Sequence, residues 1–406
     1  MKRVGFFYLD NWCKKQVRIY RRWMVITITN LVLVSMWYIQ PVKVSAADPV
    51  IRVLLTTTDF SSRFHDEVTV SYNGKEVTYK AEEVKQKGNK IRIPAQKDGI
   101  QILSIERQSG NPVYEGSIEI IPEEEGLEVI NELSLEKYLT RVVPSEMPAT
   151  YEKEALKAQA VCARTYAWKQ IQEHALEKLE ADVDDSVSFQ VYGNIASQEA
   201  ATEAVKETES QILCQNGEAV EAYYFSTSAG VTSTDEIWGS SIAAPYLKSV
   251  PCQFDKEEPW SSWTVEIPWE MLEKRAGEKM GKELTLLAVS VVKRSESGAA
   301  TGLEIVMGEG ETFEIKNEYE IREFLAPTGC TITESNGTET TGGKLLPSAY
   351  MELGRTKDGN LSVAGKGYGH GVGMSQTGAN CMAEQGYDYR EILDYFFRNV
   401  TIENLG

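Results

Sequence analysis

The chain has 406 residues, of which 42% are hydrophobic, and a formal net charge of −18 at pH 7. The length accommodates two or three average domains or one elaborated domain, and the apolar content is ample for a packed core. Because residues 1–50 carry a net +6, residues 51–406 carry −24. A body this acidic is a poor partner for nucleic acid or an anionic membrane surface, and it suits a protein that acts on a neutral polymer.

The first 47 residues have the features of a targeting segment. A basic flank precedes the apolar stretch from Trp23 to Ile39, and Val44-Ser45-Ala46 offers a small-residue cleavage pattern. The stretch is long for a signal peptide and short for a spanning helix, so residues 1–47 are a signal peptide or an uncleaved membrane anchor. In both cases we expect the body of the protein to be extracytoplasmic, either secreted or anchored to the cell membrane.

Residues 48–133 show the pattern of strands and turns. Two β-branched runs, 68–72 and 76–79, flank Asn73-Gly74, which is a strong hairpin signal. We therefore expect an N-terminal β-rich part that ends near residue 133.

A glutamate between two prolines follows. Ser134 can cap a short helix over 135–143, and Pro144 and Pro148 disfavour helix in the residues that precede them. Glu146 is then expected on a short rigid link between helices, with apolar neighbours that raise its pKa if the site is buried. The alternative is an ordinary surface or helix-capping glutamate.

A long alanine-rich helix is predicted from about residue 151 to 179, with Thr150 as its N-cap. Its alanines allow neighbouring backbone to approach closely, which indicates a central buried helix. Gln159 and Arg164 are polar positions on this helix, and both could equally lie at the surface.

After the alanine-rich helix, strand-like runs return from Gln211, and hydroxyl side chains cluster between Tyr223 and Gly230. Such a cluster suits sugar recognition, but it equally suits an ordinary turn.

The last part of the chain mixes strands with helical pieces over 269–280 and 318–325, and 336–344 has the composition of an exposed loop. A glycine-rich segment then surrounds His370, and Ser375 opens a closing helix over 376–385, followed by another over 389–398. Glycine at this density permits positive φ and a close approach of the backbone to a ligand. A phosphate loop is the rival interpretation, but its G-x-x-x-x-G-K-[ST] pattern is absent from the sequence.

Cysteine and histidine spacing predicts no structural metal and no cofactor. The histidines stand at positions 65, 174 and 370, far apart, and no C-x-x-C pair occurs. One or two disulfides are compatible with an extracytoplasmic location, but Cys162 and Cys381 lie in apolar helical patterns that are typical of buried thiols.

Three segments together resemble the SpoIID/LytB family, which comprises stage II sporulation protein D and related peptidoglycan lytic transglycosylases of spore-forming Firmicutes. The segments are 143–148 (VPSEMP), 155–167 (ALKAQAVCARTYA) and 367–376 (GYGHGVGMSQ), and the similarity spans about residues 50–406. The resemblance implies an α+β fold in which mostly antiparallel β structure surrounds the alanine-rich helix beside a glycan-binding cleft. It makes 48–133 the N-terminal part of one such domain and 134–406 its catalytic core, with a β-rich insertion at about 255–350.

The resemblance also implies the site. The family's catalytic acid falls on Glu146, and its substrate-binding positions fall on Gln159, Tyr224, Ser226, Ser228, His370, Ser375 and Gln376. Some clostridial members look to carry a zinc site after the long helix, where this chain has only His174. The implied substrate is peptidoglycan in the form of peptide-free glycan strands, and the implied partner is a cell-wall amidase or endopeptidase such as a SpoIIP-like protein.

The reaction implied is cleavage between N-acetylmuramic acid and N-acetylglucosamine with formation of 1,6-anhydro ends, in sporulation (engulfment) or in vegetative wall remodelling. One alternative is a two-carboxylate muramidase with Asp184 or Asp185 as the second group. The other is a non-catalytic glycan-binding module that enhances an amidase.

Overall fold

The computed structural model describes residues 48–405 except 89, 175 and 241–243. The described residues belong to one compact unit. The predicted leader, residues 1–47, lies outside them, and the expected boundary near residue 133 and the insertion at about 255–350 stay predictions. In the part of the chain that the structure describes, no helix combines the length and apolar character needed to cross a membrane.

The described residues contain eight α-helices and four short 3-10 helices. The α-helices are Ala81–Gln86, Leu135–Glu146, Lys153–Glu173, Glu199–Glu207, Trp269–Met280, Glu318–Phe324, Gln376–Glu384 and Tyr389–Phe396. The 3-10 helices are Glu177–Leu179, Asp235–Trp238, Pro259–Ser261 and Gly308–Gly310.

Twenty-two strands are found over the same residues. They are β1 Val50–Leu55, β2 Glu67–Tyr72, β3 Lys75–Lys80, β4 Ile91–Ile93, β5 Ile100–Ile102, β6 Val113–Tyr114, β7 Ser117–Pro122, β8 Leu127–Ser134, β9 Val183–Asp184, β10 Gln211–Gln215, β11 Glu218–Ala219, β12 Tyr224–Phe225, β13 Trp263–Ile267, β14 Leu286–Arg294, β15 Ala300–Met307, β16 Thr312–Lys316, β17 Thr331–Glu334, β18 Glu339–Thr341, β19 Met351–Arg355, β20 Leu361–Gly365, β21 Met374–Ser375 and β22 Thr401–Asn404.

The strands pair into six sheets. The orders are β4-β7-β8-β1-β9, β3-β2-β5-β6, β11-β10-β22, β12-β21, β18-β17-β13-β20-β19 and β14-β15-β16. Among the described strands only β1 with β9 and β12 with β21 pair in parallel. The predicted α+β class with mostly antiparallel sheets is confirmed.

The Asn73-Gly74 hairpin forms as predicted. Tyr72 pairs with Lys75, so only Asn73 and Gly74 lie in the turn, and their φ angles are +50° and +71°. Two consecutive positive φ values are what a two-residue turn requires if the strands are to keep their right-handed twist.

The long helix is shorter than predicted at both ends. It occupies Lys153–Glu173, its N-cap is Glu152 without a side-chain hydrogen bond, and His174 ends it in the left-handed conformation. Thr150 therefore does not cap the helix, and the segment up to Leu179 forms a separate 3-10 turn. The apolar periodicity continued past the helix because the turn also packs Leu176 and Leu179 against a small buried cluster.

Small side chains let this helix pack closely against its neighbours. Its buried residues include Ala155, Ala158, Ala160, Ala163 and Ala167. It contacts the helices Leu135–Glu146, Glu199–Glu207, Gln376–Glu384 and Tyr389–Phe396, and strand β10.

A buried ion pair fixes the helix that carries Glu146. Arg164 is fully buried, and its Nε and Nη2 donate to the two carboxylate oxygens of Glu136 at 2.7 Å each. The planar fork of a guanidinium makes such a two-point contact directional, so it sets both position and orientation. Arg164 thus joins the first turn of the Leu135–Glu146 helix to the middle of the long helix. The sequence was also compatible with a surface position for Arg164, and the structure places the residue in the interior instead.

The later elements agree with the sequence in most respects. The helices Trp269–Met280, Gln376–Glu384 and Tyr389–Phe396 lie where they were predicted, and the Ser375 side chain caps its helix by accepting from the Gly378 amide. The predicted loop over 336–344 is wrong in part, because Glu339–Thr341 forms an edge strand against β17. Its threonines favour strand, and Gly337, with φ +85°, makes the turn.

Candidate active site

Glu146 opens into a cleft of about 440 Å³. A cavity of this size is within the range of small-ligand sites. Its lining is mainly aromatic and neutral polar, and it comprises Glu146, Tyr166, Val187, Ser188, Phe189, Gln190, Val191, Tyr223, Tyr224, Phe225, Ser226, Trp238, Tyr368, Gly369, His370 and Gln376.

Glu146 is the last residue of a helix, not part of a link between helices as predicted. The helix Leu135–Glu146 continues through Pro144 and ends because Met147 is extended. The Met147 amide still donates to the Val143 carbonyl at 2.9 Å, and the Ser145 hydroxyl donates to the Arg141 carbonyl at 2.6 Å. These bonds close the final turn although Pro144 contributes no amide donor.

The environment of Glu146 favours a protonated carboxyl. Its side chain is half-buried, and this burial raises its pKa from 4.5 to about 7. Two donors oppose the shift by favouring the carboxylate: the Val191 amide, 2.6 Å from Oε1, and the Tyr224 hydroxyl. The effect of desolvation on the pKa is larger than the effect of these two hydrogen bonds. At neutral pH the Glu146 carboxyl is therefore close to half protonated, as a general acid and base requires.

Val191 is held by an anchored segment. Asp185 is fully buried and accepts from the Thr56 amide and hydroxyl, at 2.9 and 2.7 Å, and from Arg107 Nη2 at 2.7 Å. The Tyr192 amide donates back to the Asp185 carbonyl at 3.3 Å. The segment 185–192 is therefore closed at both ends, which places the Val191 amide against Glu146.

Gln376 binds the backbone of Glu146. Its Nε2 donates to the Glu146 carbonyl at 3.1 Å and lies 3.4 Å from Gln159 Oε1. Gln159 is fully buried behind Gln376, and its own Nε2 has no hydrogen-bond partner among the described residues. Gln376 thus lines the cleft, whereas Gln159 is not part of its lining.

Tyr224 belongs to a chain of buried polar groups. Its hydroxyl accepts from Gln190 Nε2 at 3.0 Å, and Gln190 Oε1 accepts from the Tyr138 hydroxyl at 3.2 Å. Burial raises the pKa of Tyr224 far above its ordinary value. The Tyr224 phenol therefore stays protonated and can donate to Glu146.

His370 is a neutral residue with both ring nitrogens engaged. Nδ1 accepts from the Val372 amide at 3.1 Å, so Nε2 carries the hydrogen that it donates to the Tyr224 carbonyl at 3.0 Å. Burial lowers its pKa to about 3. His370 lines the cleft beside Trp238, whose ring centre lies 5.1 Å away, but it has no free nitrogen for proton transfer.

The glycines around His370 serve a close approach to the protein's own chain. A Cβ at Gly373, where φ is +80°, would lie 2.1 Å from the Tyr223 carbonyl oxygen. A Cβ at Gly367, with φ +74°, would lie 2.8 Å from the Ala229 amide. Only glycine allows this backbone to pack against strand β12 and its continuation.

The serines fall into two groups. Ser226 lines the cleft. Ser228 and Ser375 are buried, and both hydroxyls donate to the carboxylate of Asp255, at 2.6 and 2.7 Å. Five of the eight predicted site residues thus line one cavity, while Gln159, Ser228 and Ser375 support it from behind.

Comparisons with known proteins show the family of this chain. Residues 123–214, which include Glu146 and Val191, match the model of the SpoIID family, described as stage II sporulation protein. Stage II sporulation protein D of Bacillus subtilis is 33% identical over 67% of this chain and 75% of its own length. This chain belongs to the SpoIID family.

Two other relatives widen the comparison. An uncharacterized protein of Brachyspira hyodysenteriae, BHWA1_00569, is 31% identical over 75% of this chain and 74% of its own. The amidase enhancer of Bacillus subtilis is 28% identical over 65% of this chain, but the match covers only 40% of the enhancer.

Several residues of the candidate site in this SpoIID-family chain were not predicted from the sequence. The Val191 amide is a backbone group, so no side-chain pattern could reveal it. Gln190 and Val191 lie outside the three segments that carry the family resemblance, and Asp255 stands in an acidic run without any motif. The aromatic walls Tyr166, Tyr223 and Trp238 come from three separate segments that only the fold brings together.

The second carboxylates considered from the sequence do not line the cleft. The Asp185 carboxylate accepts hydrogen bonds from Arg107 and Thr56. The Asp184 carboxylate accepts from the Ser186 amide and hydroxyl at 2.8 and 2.7 Å. Among the described lining residues, Glu146 is the one carboxylate.

Metal-ligating side chains are also sparse. Over the residues that the structure describes, no three His, Cys, Asp or Glu side chains form a group that could hold a metal ion. All five cysteines in this region are free thiols, and Cys162 and Cys381 are buried as predicted.

Proposed function

We propose that this SpoIID-family chain is a peptidoglycan lytic transglycosylase that cleaves the bond between N-acetylmuramic acid and N-acetylglucosamine. The observation that carries the proposal is a half-buried carboxyl group, Glu146, whose pKa is raised to about 7. It lies in a cleft whose described lining residues include no other carboxylate. Hydrolysis by two carboxylates needs a second such group, whereas an internal nucleophile does not.

The reaction proceeds in two proton transfers through one group. Protonated Glu146 gives its proton to the glycosidic oxygen as the bond from C1 of N-acetylmuramic acid breaks, and N-acetylglucosamine leaves. The resulting carboxylate accepts the proton of the C6 hydroxyl, whose oxygen attacks C1 and closes the 1,6-anhydro ring. Because the nucleophile belongs to the same sugar, its effective concentration is high and no positioned water is needed.

The surroundings of Glu146 suit this cycle. The Val191 amide and the Tyr224 hydroxyl stabilise the carboxylate after the first transfer, and burial restores the preference for the proton afterwards. The aromatic walls offer apolar faces for the CH faces of sugars, and Ser226 and Gln376 offer hydrogen bonds to hydroxyl and acetamido groups.

The relative named amidase enhancer favours a second candidate function. In that alternative the cleft binds a glycan strand without cleaving it and the chain stimulates a separate amidase. It predicts retained binding and no change in glycan length.

Substitution of the acid separates these functions. We expect Glu146→Gln to reduce the release of anhydro ends from peptide-free glycan on the order of a hundredfold or more, while glycan binding persists. Glu218→Gln, at an exposed position away from the cleft lining, is the matched control. If Glu146→Gln cleaves glycan at the wild-type rate, Glu146 is not the catalytic acid. If the wild-type protein binds glycan without cleaving it, the result favours the enhancer function.

The setting that we propose is extracytoplasmic. Relatives named stage II sporulation protein D support a role in sporulation or wall remodelling. The proposed substrate is a glycan strand whose stem peptides a SpoIIP-like amidase or endopeptidase has removed. Attachment to the membrane depends on residues 1–47.

A further inference from the structure

Asp255 is a buried carboxylate at which two segments of the site meet. It is fully buried. One oxygen accepts from the Ser228 hydroxyl at 2.6 Å, and the other from the Ser228 amide at 2.8 Å and the Ser375 hydroxyl at 2.7 Å. Among the described residues no Lys or Arg forms an ion pair with Asp255, so these hydrogen bonds replace the water that burial removed.

Each donor leads directly to the cleft. Ser228 lies two residues after Ser226, which lines it. Ser375 precedes Gln376 and caps the Gln376–Glu384 helix, because its Oγ accepts from the Gly378 amide at 3.1 Å. Gln376 in turn binds the Glu146 carbonyl. The connection from Asp255 to the backbone of the acid therefore passes through two adjacent residues.

We propose that Asp255 is a positioning residue for the reaction: through Ser228 and Ser375 it holds Gln376 against Glu146 without touching the glycan. This inference rests on the proposed function, since it assigns Asp255 to the same site. It gives Ser228 and Ser375 an indirect role in place of the sugar contacts that the family resemblance implied.

The geometry requires a hydrogen-bond acceptor at position 255. The Ser228 amide can only donate, so the oxygen that it binds must remain an acceptor. In Asp255→Asn the amide oxygen can occupy that position, and the Ser228 hydroxyl can accept from the new NH₂ group and donate to the Cys252 carbonyl, 3.2 Å away. In Asp255→Ala these three contacts are lost, together with the contact that the Cys252 thiol makes with the carboxylate at 3.6 Å. Asparagine should therefore rescue most of the function that alanine loses.

The test compares Asp255→Ala, Asp255→Asn and the double variant Asp255→Ala/Ser228→Ala in the full chain. The control is Glu119→Gln, which alters a buried carboxylate paired with Arg52, outside the cleft lining. We expect kcat on peptide-free glycan to fall about tenfold or more in Asp255→Ala with a smaller change in KM, since alignment of the acid is lost in the transition state. Asp255→Asn should recover most of kcat, and adding Ser228→Ala to Asp255→Ala should cost nothing more.

A second readout needs no turnover. Loosening Gln376 admits water to Glu146, so the pKa of Glu146 should fall from about 7 towards 4.5 in Asp255→Ala. It is measured from the pH dependence of unfolding with and without Glu146→Gln. Glu119→Gln should leave it unchanged. An unaltered Glu146 pKa and unaltered kcat in a folded Asp255→Ala variant would overturn the inference.

The two proposals fail in different ways. If the wild type releases no anhydro ends, the proposed function fails, and the pKa readout still decides whether Asp255 positions Glu146. If Asp255→Ala does not fold, Ser375→Ala carries the test, because Ser375 joins Asp255 to Gln376. A Glu146 pKa that is unchanged in a folded Ser375→Ala variant would reject the connection.

Discussion

The raised pKa of Glu146 predicts that this residue destabilises the fold at neutral and alkaline pH. Below about pH 4.5 the carboxyl is protonated in both the folded and the unfolded chain, so it has no effect. Between pH 4.5 and about 7 the folded chain keeps a proton that the unfolded chain releases, so stability falls as pH rises. Above pH 7 the full cost is present.

The size of the effect follows from the two pKa values. A carboxyl group raised from 4.5 to about 7 corresponds to a cost of ionisation in the folded state of about 3 kcal/mol. Glu146→Gln removes the ionisation and leaves an oxygen to accept from the Val191 amide. We therefore expect Glu146→Gln to match the wild type at pH 4 and to exceed its free energy of unfolding by about 3 kcal/mol at pH 8.

Urea unfolding from pH 4 to pH 9, followed by tryptophan fluorescence, measures this difference. Glu218→Gln, at an exposed position, controls for removing a negative charge from an acidic protein. The refuting result is a difference in the free energy of unfolding between Glu146→Gln and wild type that does not change with pH. It would show that burial does not outweigh the Val191 and Tyr224 hydrogen bonds in determining the pKa of Glu146.

Three further predictions concern the same cleft. Since the proposed reaction begins with protonated Glu146, kcat/KM should fall as pH rises through about 7, and a rate that keeps rising to pH 9 would contradict this. His370, with its pKa lowered to about 3, should show no titration of its ring signals between pH 5 and 8 in NMR spectra; a midpoint near 6.5 would show that its backbone contacts are absent. Tyr368 is 41% exposed at the cleft, so Tyr368→Ala should raise KM for glycan several-fold with little change in melting temperature, and a lower melting temperature at unchanged KM would make its role structural.

Local chemistry made parts of the fold predictable. Asn73-Gly74 specified its hairpin because few residue pairs accept positive φ twice, and Ser375 specified a helix start because its hydroxyl satisfies an amide of the first turn. Pro144 misled because a proline weakens a helix by one hydrogen bond, and the contacts of Val143 and Ser145 close the last turn regardless.

The site was predictable only where a side chain itself meets the cleft. Glu146, Tyr224 and His370 were singled out because their segments resemble those of the family, and all three line the cleft. Their catalytic and substrate-binding roles stay predictions. The hydrogen bonds of Ser228 and Ser375 to Asp255 could not be predicted, because Asp255 lies in no motif and only the fold brings the three residues together. The donor at Val191 is a backbone amide, so the pattern of side chains in the sequence could not predict it.

Cleavage of peptide-free glycan in water enriched in ¹⁸O tests the central claim most directly. If the C6 hydroxyl is the nucleophile and Glu146 accepts its proton, the newly formed anhydro ends contain no ¹⁸O. Their mass is lower than that of reducing ends by one water molecule. The Glu146→Gln variant should form almost no anhydro ends. Ends that carry ¹⁸O would show that water is the nucleophile, and would contradict transglycosylation by a single carboxyl group.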